Sequence, residues 1–276
     1  MSHSRPLLVA TDVDGTLIGT DHLIPAANLA VVEDLVADGA TFVLATGRPP
    51  RWLGQVVDQL PVAPLAVSAN GAVIVDTDSG EFLSTRMLEV EALAEIDEVL
   101  REFLPGAGIA AERLGADAAD ADFVASPDYE HAWIHPEHME VGHDEVMSRP
   151  VLKLLARVPG MPSGDMVAAL RGRVDHLADV TYSTTHGLIE FAARGVTKAS
   201  ALEEVAREVG AGGTSSGAVP VTVAFGDMPN DLEMLRWADH GVAMGNALPS
   251  LHTVADEVTL TNDEAGLAHV LRRWWN

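Results

Sequence analysis

The first apolar run of the chain, Leu7 to Thr11, has the length and continuity of a strand buried on both faces. From Pro25 to Ala37 the spacing changes. Leu29, Val32 and Val36 fall on one helical face, with Pro25 near the start and Gly39 just beyond the end. Thr41 to Leu44 is again strand-like, Arg51 to Leu60 predicts a second helix, and Leu65 to Ser68 a third strand. Strand, helix, strand, helix, strand implies a parallel sheet with right-handed crossovers. The same rhythm returns late in the chain. Lys198 opens a helix over Ala199 to Val209, a strand runs from Val221, a helix from Asn230, a strand lies near Val242, and a helix from Asp263 closes the chain. The Trp274-Trp275 pair is expected to pack that last helix.

Between these halves the texture differs. Val90 to Phe103 predicts an amphipathic helix with Leu93, Ile96 and Leu100 on one face. Strand-like runs at Val151 to Val158 and Val180 to Thr184 flank a helix predicted over Ser163 to Arg173. Gly106 to Asp122, rich in Ala, Gly and Asp, reads as loop. Residues 82–190 are therefore expected to form a second α/β domain, inserted into a Rossmann-like α/β core built from 1–81 and 191–276.

The chemistry sits where strands end. The first strand runs straight into Asp12-Val13-Asp14-Gly15-Thr16. Residues two apart on a strand share a face, so both acids reach one small crevice, where like charges require a cation or a shared proton. Mg²⁺ with a phosphorylated substrate suits that demand, since Mg²⁺ takes one or two carboxylates plus phosphate oxygens and water. The bland alternative is an acid-rich turn with both carboxylates solvated. Three further clusters stand at strand ends or helix starts: Thr46-Gly47-Arg48-Pro49, Gly195-Val196-Thr197-Lys198, and Gly226-Asp227-Met228-Pro229-Asn230-Asp231. In open α/β sheets ligands bind outside the carboxyl ends of the strands, so all four can converge.

In this order the four clusters resemble the motifs of the haloacid dehalogenase superfamily of phosphohydrolases, and within it the Cof-type sugar-phosphatase-like branch. Ser68-Ala69-Asn70-Gly71-Ala72 and Gly241-Val242-Ala243-Met244-Gly245-Asn246-Ala247 are similar to that branch as well. The resemblance covers residues 7–75 and about 188–271. It implies a large cap inserted after the third core strand, roofing the active site. It also implies Asp12 as nucleophile, forming an aspartyl-phosphate, and Asp14 as the acid that protonates the leaving group and then deprotonates water. Asp12, Asp227 and Asp14, the last through its backbone carbonyl, would hold Mg²⁺. Thr46, Gly47, Lys198 and Asn230 would bind phosphate, with Asp231 behind them as an outer partner of Lys198 or of a metal-bound water. Arg48 stands open between clamping substrate phosphate and pairing with an acid, and Asn70 is expected to meet substrate where core and cap join.

Composition narrows the field. A formal net charge of −24, from 41 acidic and 17 basic residues, speaks against nucleic acid and anionic membranes as partners. No apolar run approaches the roughly 18 residues of a membrane helix. The six residues before the first strand are too few for a signal peptide. The absence of cysteine excludes disulfides and thiolate chemistry. A cytoplasmic protein, monomeric or a small homo-oligomer, is expected. His131, His135, His138 and His143 crowd one segment, but only His131 and His135 have the spacing of a helical ligand pair, and Pro136 interrupts them, so no zinc site is expected there. The reading is a Mg²⁺-dependent phosphatase of a small phosphorylated metabolite. A phosphomutase using the same intermediate and a phospho-accepting regulatory protein are the alternatives. A receiver module would lack the second acid at Asp14 and would need no cap of this size.

Overall fold

The computed structural model describes residues 5–115, 123–130, 138–212 and 220–275. In chain order the strands are β1 (Leu8–Thr11), β2 (Thr41–Ala45), β3 (Leu65–Ser68), β4 (Val73–Asp76) and β5 (Phe82–Thr85). The middle of the chain adds β6 (Gly108–Glu112), β7 (Phe123–Ala125), β8 (His138–Glu140), β9 (Lys153–Arg157), β10 (Ala178–Thr181) and β11 (Leu188–Ala193). The return adds β12 (Thr222–Gly226), β13 (His240–Ala243) and β14 (Glu257–Val258). The helices are α1 (Ala26–Ala37), α2 (Gly54–Val57), α3 (Val90–Phe103), α4 (His143–Val146), α5 (Ser163–Leu170), α6 (Lys198–Glu208), α7 (Leu232–Trp237), α8 (Pro249–His252) and α9 (Gly266–Leu271).

Two compact units emerge. One comprises residues 1–48, 52–84 and 198–276, the other 49–51 and 85–197. The second extends past residue 190, where the sequence pattern placed the return to the core. The reason is that β11 is an internal strand of its sheet, paired on both sides with β10 and β9.

In the first unit the sheet order is β14-β13-β12-β1-β2-β3-β4-β5. The pairs from β14 across to β3 are parallel, and β4 turns antiparallel against β3. From β1 the chain steps outward through β2 and β3, and it later returns beside β1 as β12 before stepping the other way. The order therefore reverses between β1 and β12, which puts the topological switch point at their carboxyl ends. Leu8, Val9 and Ala10 are fully buried, as a doubly covered parallel strand requires. Beyond β1 the chain folds over as a small flap stapled by polar side chains. Asn28 on α1 is fully buried; its amide donates to Leu17 O at 3.2 Å, and its Oδ1 accepts from Ala268 N at 3.0 Å. Asn262 Nδ2 donates to Ile18 O at 2.9 Å.

The second unit carries the sheet β10-β11-β9-β6-β7-β8. Leu93, Ile96 and Leu100 of α3 and Met166 and Leu170 of α5 cover one face of it, meeting Ile109, Ala111, Leu154, Ala156, Ile189 and Phe191. Two sequence expectations change here. Gly106 to Asp122 is not simply loop, because Gly108–Glu112 forms β6, every residue of it buried. Its small side chains carry no alternation to read, since both faces are covered. Arg51 to Leu60 is not one helix but a 3₁₀ turn at Pro50–Trp52 followed by the single turn of α2.

Gly108 is where β6 admits a neighbouring turn: a Cβ there would fall 2.2 Å from Asp128 O and 2.4 Å from Tyr129 Cα. Gly108→Ala is therefore expected to destabilise the protein by about 1–3 kcal/mol through backbone displacement. Urea unfolding checks this, and an unchanged midpoint would show that the Asp128–Tyr129 turn is free to move away.

Candidate active site

The site builds outward from the ends of adjacent strands. Asp12 follows β1 and is 5% exposed, and Asp227 follows β12 and is 7% exposed. A carboxylate oxygen from each, together with one from Asp231, lies within 4.8 Å of the others. Among the described residues this is the group suited to hold a metal ion. Lys198, the first residue of α6, is 1% exposed, and its ammonium lies between two of the acids. Its Nζ donates to Asp12 Oδ1 at 2.6 Å and to Asp231 Oδ1 at 2.7 Å.

The three acids are not equivalent. Asp231 has both oxygens engaged: Oδ1 by Lys198, and Oδ2 by the backbone N–H groups of Asp227 and Met228 at 2.9 and 3.0 Å. It braces the turn after β12, and the absence of a side chain at Gly226 makes this possible, since a Cβ there would lie 2.5 Å from that of Asp231. Asp227 Oδ1 accepts from Thr16 Oγ1 at 3.0 Å, which ties the β12 turn to the β1 turn. Gly15, with φ +80°, lies so close that a Cβ would come 2.4 Å from Asp227 Oδ2. Only glycine suits both that backbone region and that approach.

Electrostatics follow from the packing. Burial would lower the Lys198 pKa, but Asp12 and Asp231 outweigh it and raise the pKa, so the ammonium stays charged. Burial pushes the Asp12 carboxyl well above the ordinary carboxylate range; Lys198 opposes this, while Asp231, Asp227 and Asp14 add to it. Asp227 is pushed up to about 7, first by burial and then by Asp231, against its Thr16 hydrogen bond and Lys198. With all three carboxylates ionised, one ammonium leaves two negative charges uncompensated, the charge of one divalent cation. The donor set, all carboxylate oxygen, is that of a hard cation.

The remaining sequence-derived residues fall into two groups. Thr46 follows β2 and is 1% exposed; its Oγ1 accepts from Arg48 N at 3.1 Å, which leaves the hydroxyl proton to be donated. Asn230 Nδ2 donates to Asn70 Oδ1 at 3.1 Å, and a Cβ on Gly47 would sit 3.2 Å from that same oxygen. Gly47, Asn70 and Asn230 thus meet, joining the β2, β3 and β12 turns. Asn70 holds φ +58° beside Ala69 at +49°, a left-handed pair clipped in place by Asn70 N to Thr46 O at 3.0 Å. Asp14 is apart from the buried trio, its side chain 55% exposed and paired with Arg48. Sequence reasoning overlooked Thr16 and Asn246, whose Nδ2 donates to Gly15 O at 2.8 Å. Thr16 was legible as part of Asp-Gly-Thr, whereas nothing in the sequence pairs Asn246 with Gly15.

Of the four crowded histidines, His131 and His135 lie outside the described residues, as does the side chain of His138. His143 Nε2 pairs with Asp97 Oδ1 at 2.7 Å. No described helix is long and apolar enough to cross a membrane.

Residues 9–271 match the family model of haloacid dehalogenase-like hydrolases. The chain is 28% identical over 291 residues to the 5-amino-6-(5-phospho-D-ribitylamino)uracil phosphatase YitU of Bacillus subtilis, covering 99% of each. It is 28% identical over 285 residues to the HMP-PP phosphatase of Serratia proteamaculans, covering 97% of this chain and 94% of the relative. The solved structure of BT1666 from Bacteroides thetaiotaomicron, described among phosphatases of the haloalkanoate superfamily, superposes with a TM-score of 0.77 at 23% identity. That alignment covers 98% of this chain and 96% of that one.

The Lys198 ammonium yields a stability prediction. Lys198→Met leaves Asp12 and Asp231 buried without their cation, and should cost on the order of 3 kcal/mol near neutral pH. The loss should shrink as pH falls, because the Asp12 carboxyl, whose pKa burial raises in the folded state, takes up a proton there before it does in the unfolded chain. Urea unfolding of metal-free protein at pH 5 and pH 8 checks both sign and size.

Proposed function

The chain belongs to the haloacid dehalogenase-like hydrolase family, and from that premise we propose a Mg²⁺-dependent phosphatase that hydrolyses a small phosphorylated metabolite through an aspartyl-phosphate. One observation carries the reading: Asp12, Asp227 and Asp231 cluster at the carboxyl ends of the central strands, with Lys198 paired to two of them and two negative charges left over when all three are ionised. Asp12 and Asp227 would hold the cation, with Asp231 behind them as the partner of Lys198 and of the β12 turn. When bound, Mg²⁺ offsets the charge of the nucleophile and of the phosphoryl oxygens.

The chain's own residues account for the remaining steps. Lys198 fixes Asp12 through Oδ1, which leaves Oδ2 to attack phosphorus while the bond to the leaving oxygen breaks. Asp14 delivers its proton to that oxygen. It then takes a proton from the water that attacks the aspartyl-phosphate, releasing phosphate and restoring Asp12. Thr46, the Gly47 backbone, Lys198 and Asn230 would hold the phosphoryl oxygens, with Asn70 steadying Asn230. The named substrates of the relatives, a phosphorylated ribitylaminouracil and HMP-PP, support a small-metabolite ester. A phosphomutase shares every step up to the intermediate, and incubation in ¹⁸O-water separates the two, because only hydrolysis places solvent oxygen in released phosphate.

Asp12→Asn should lower hydrolysis of p-nitrophenyl phosphate by on the order of 10³-fold or more while leaving the unfolding midpoint close to that of the parent. Substantial Mg²⁺-dependent turnover in that variant would exclude the covalent mechanism. Treatment with EDTA should abolish turnover and Mg²⁺ restore it, and Asp227→Asn should raise the Mg²⁺ concentration needed for half-maximal rate. An unchanged requirement would remove Asp227 from the cation site.

A further inference from the structure

Arg48 makes a fork-to-fork pair with Asp14: Nε donates to Oδ2 at 2.8 Å and Nη2 to Oδ1 at 2.7 Å. Its remaining terminal nitrogen, Nη1, donates to Gln55 Oε1 at 3.3 Å. Every nitrogen of the guanidinium is therefore engaged in a protein contact, two of the three with one carboxylate. The side chain is 12% exposed whereas that of Asp14 is 55% exposed, so the anchored partner is the arginine.

Its anchoring runs through the backbone. Arg48 N donates to Thr46 Oγ1 at 3.1 Å, and Arg48 O accepts from Ala69 N at 2.8 Å and from Ser68 Oγ at 2.6 Å. The backbone of Asp14 is bridged to Ile18, while its side chain is held by Arg48. Asp14 sits on a turn just before Gly15, whose φ is +80°, and its carboxylate projects toward solvent. An exposed aspartate on a turn samples several rotamers, yet proton transfer needs it within hydrogen-bond reach of the reacting oxygen.

We infer that Arg48 is a positioning residue, setting the plane and direction of the Asp14 carboxylate, and not a clamp on substrate phosphate. A planar, bidentate contact sets orientation as well as charge, which a lysine at the same place would not do. Two hydrogen bonds to Asp14 and one to Gln55 fix the plane of the guanidinium on the protein itself. The inference rests on the proposed role of Asp14 in proton transfer.

The test compares Arg48→Ala, Arg48→Lys, Asp14→Asn and the Asp14→Asn/Arg48→Ala double variant, each first checked for an intact unfolding transition. Rates are measured on p-nitrophenyl phosphate, whose leaving group needs little protonation, and on an alkyl phosphate, whose leaving group needs it. If Arg48 positions Asp14, both Arg48 variants lose about 10- to 100-fold in kcat on the alkyl ester and much less on the aryl ester. KM and inhibition by inorganic phosphate then stay at parental values. Lysine does no better than alanine, and the double variant is no slower than Asp14→Asn alone. A KM and an inorganic-phosphate inhibition constant that worsen alike for both esters would overturn the inference in favour of phosphate binding. So would rescue by lysine, or a double variant much slower than Asp14→Asn. Asp14→Asn turning over both esters at the parental rate would overturn the proton-transfer role itself, and the inference with it; that outcome is distinct because it appears with Arg48 intact.

Discussion

A buried ammonium group governs this site. Removing an ion from water costs several kcal/mol even after the protein relaxes, and Lys198 also stands at the start of an α-helix, where the macrodipole disfavours positive charge. It stays charged because Asp12 and Asp231 approach to 2.6 and 2.7 Å. Those acids are themselves costly to bury, so neither side of the cluster is stable without the other. The negative charge left over is of the size that one divalent cation would offset.

The sheet makes this cluster possible without any long side chain reaching across the fold. Because the strand order reverses between β1 and β12, the turns carrying Asp12 and Asp227 emerge side by side. Register does the alignment: Thr11 pairs with Phe225, so the chain continues into Asp12 on one strand and toward Asp227 on the other at nearly the same level. Short polar links then fix the turns, Thr16 to Asp227 on one side and Asn230 to Asn70 on the other. The glycines at 15, 47 and 226 are small where carboxylate or amide groups crowd the backbone.

Much of the core was legible because its signals are local. Apolar runs of four or five residues ending in Asp, Thr or Gly mark strand ends, and strands alternating with helices imply parallel pairing. Helix α3 was equally plain, since its apolar face recurs at helical spacing and is buried. The failures have physical causes. β6 is made of small residues covered on both faces, so it shows no alternation, and β11 runs past residue 190 into what reads as the return to the core. The stretch after Arg48 is half-buried and broken into single turns, too short for a helical period to declare itself.

From the sequence alone came the candidate reactive groups and their order along the chain. An acid pair after an apolar strand, a hydroxyl, a lysine and a second acid cluster are the donor types that suit a cation and an anionic substrate. Only the tertiary structure decided how those groups divide the work. It set Asp231 to bracing Lys198 and the β12 turn, tied Asp12 to Lys198 and Asp227 to Thr16, and turned Arg48 onto Asp14. The pairings of Lys198 with Asp12 and Asp231 and of Arg48 with Asp14 join residues from 33 to 186 positions apart. They depend on strand register and backbone direction, which no local pattern encodes.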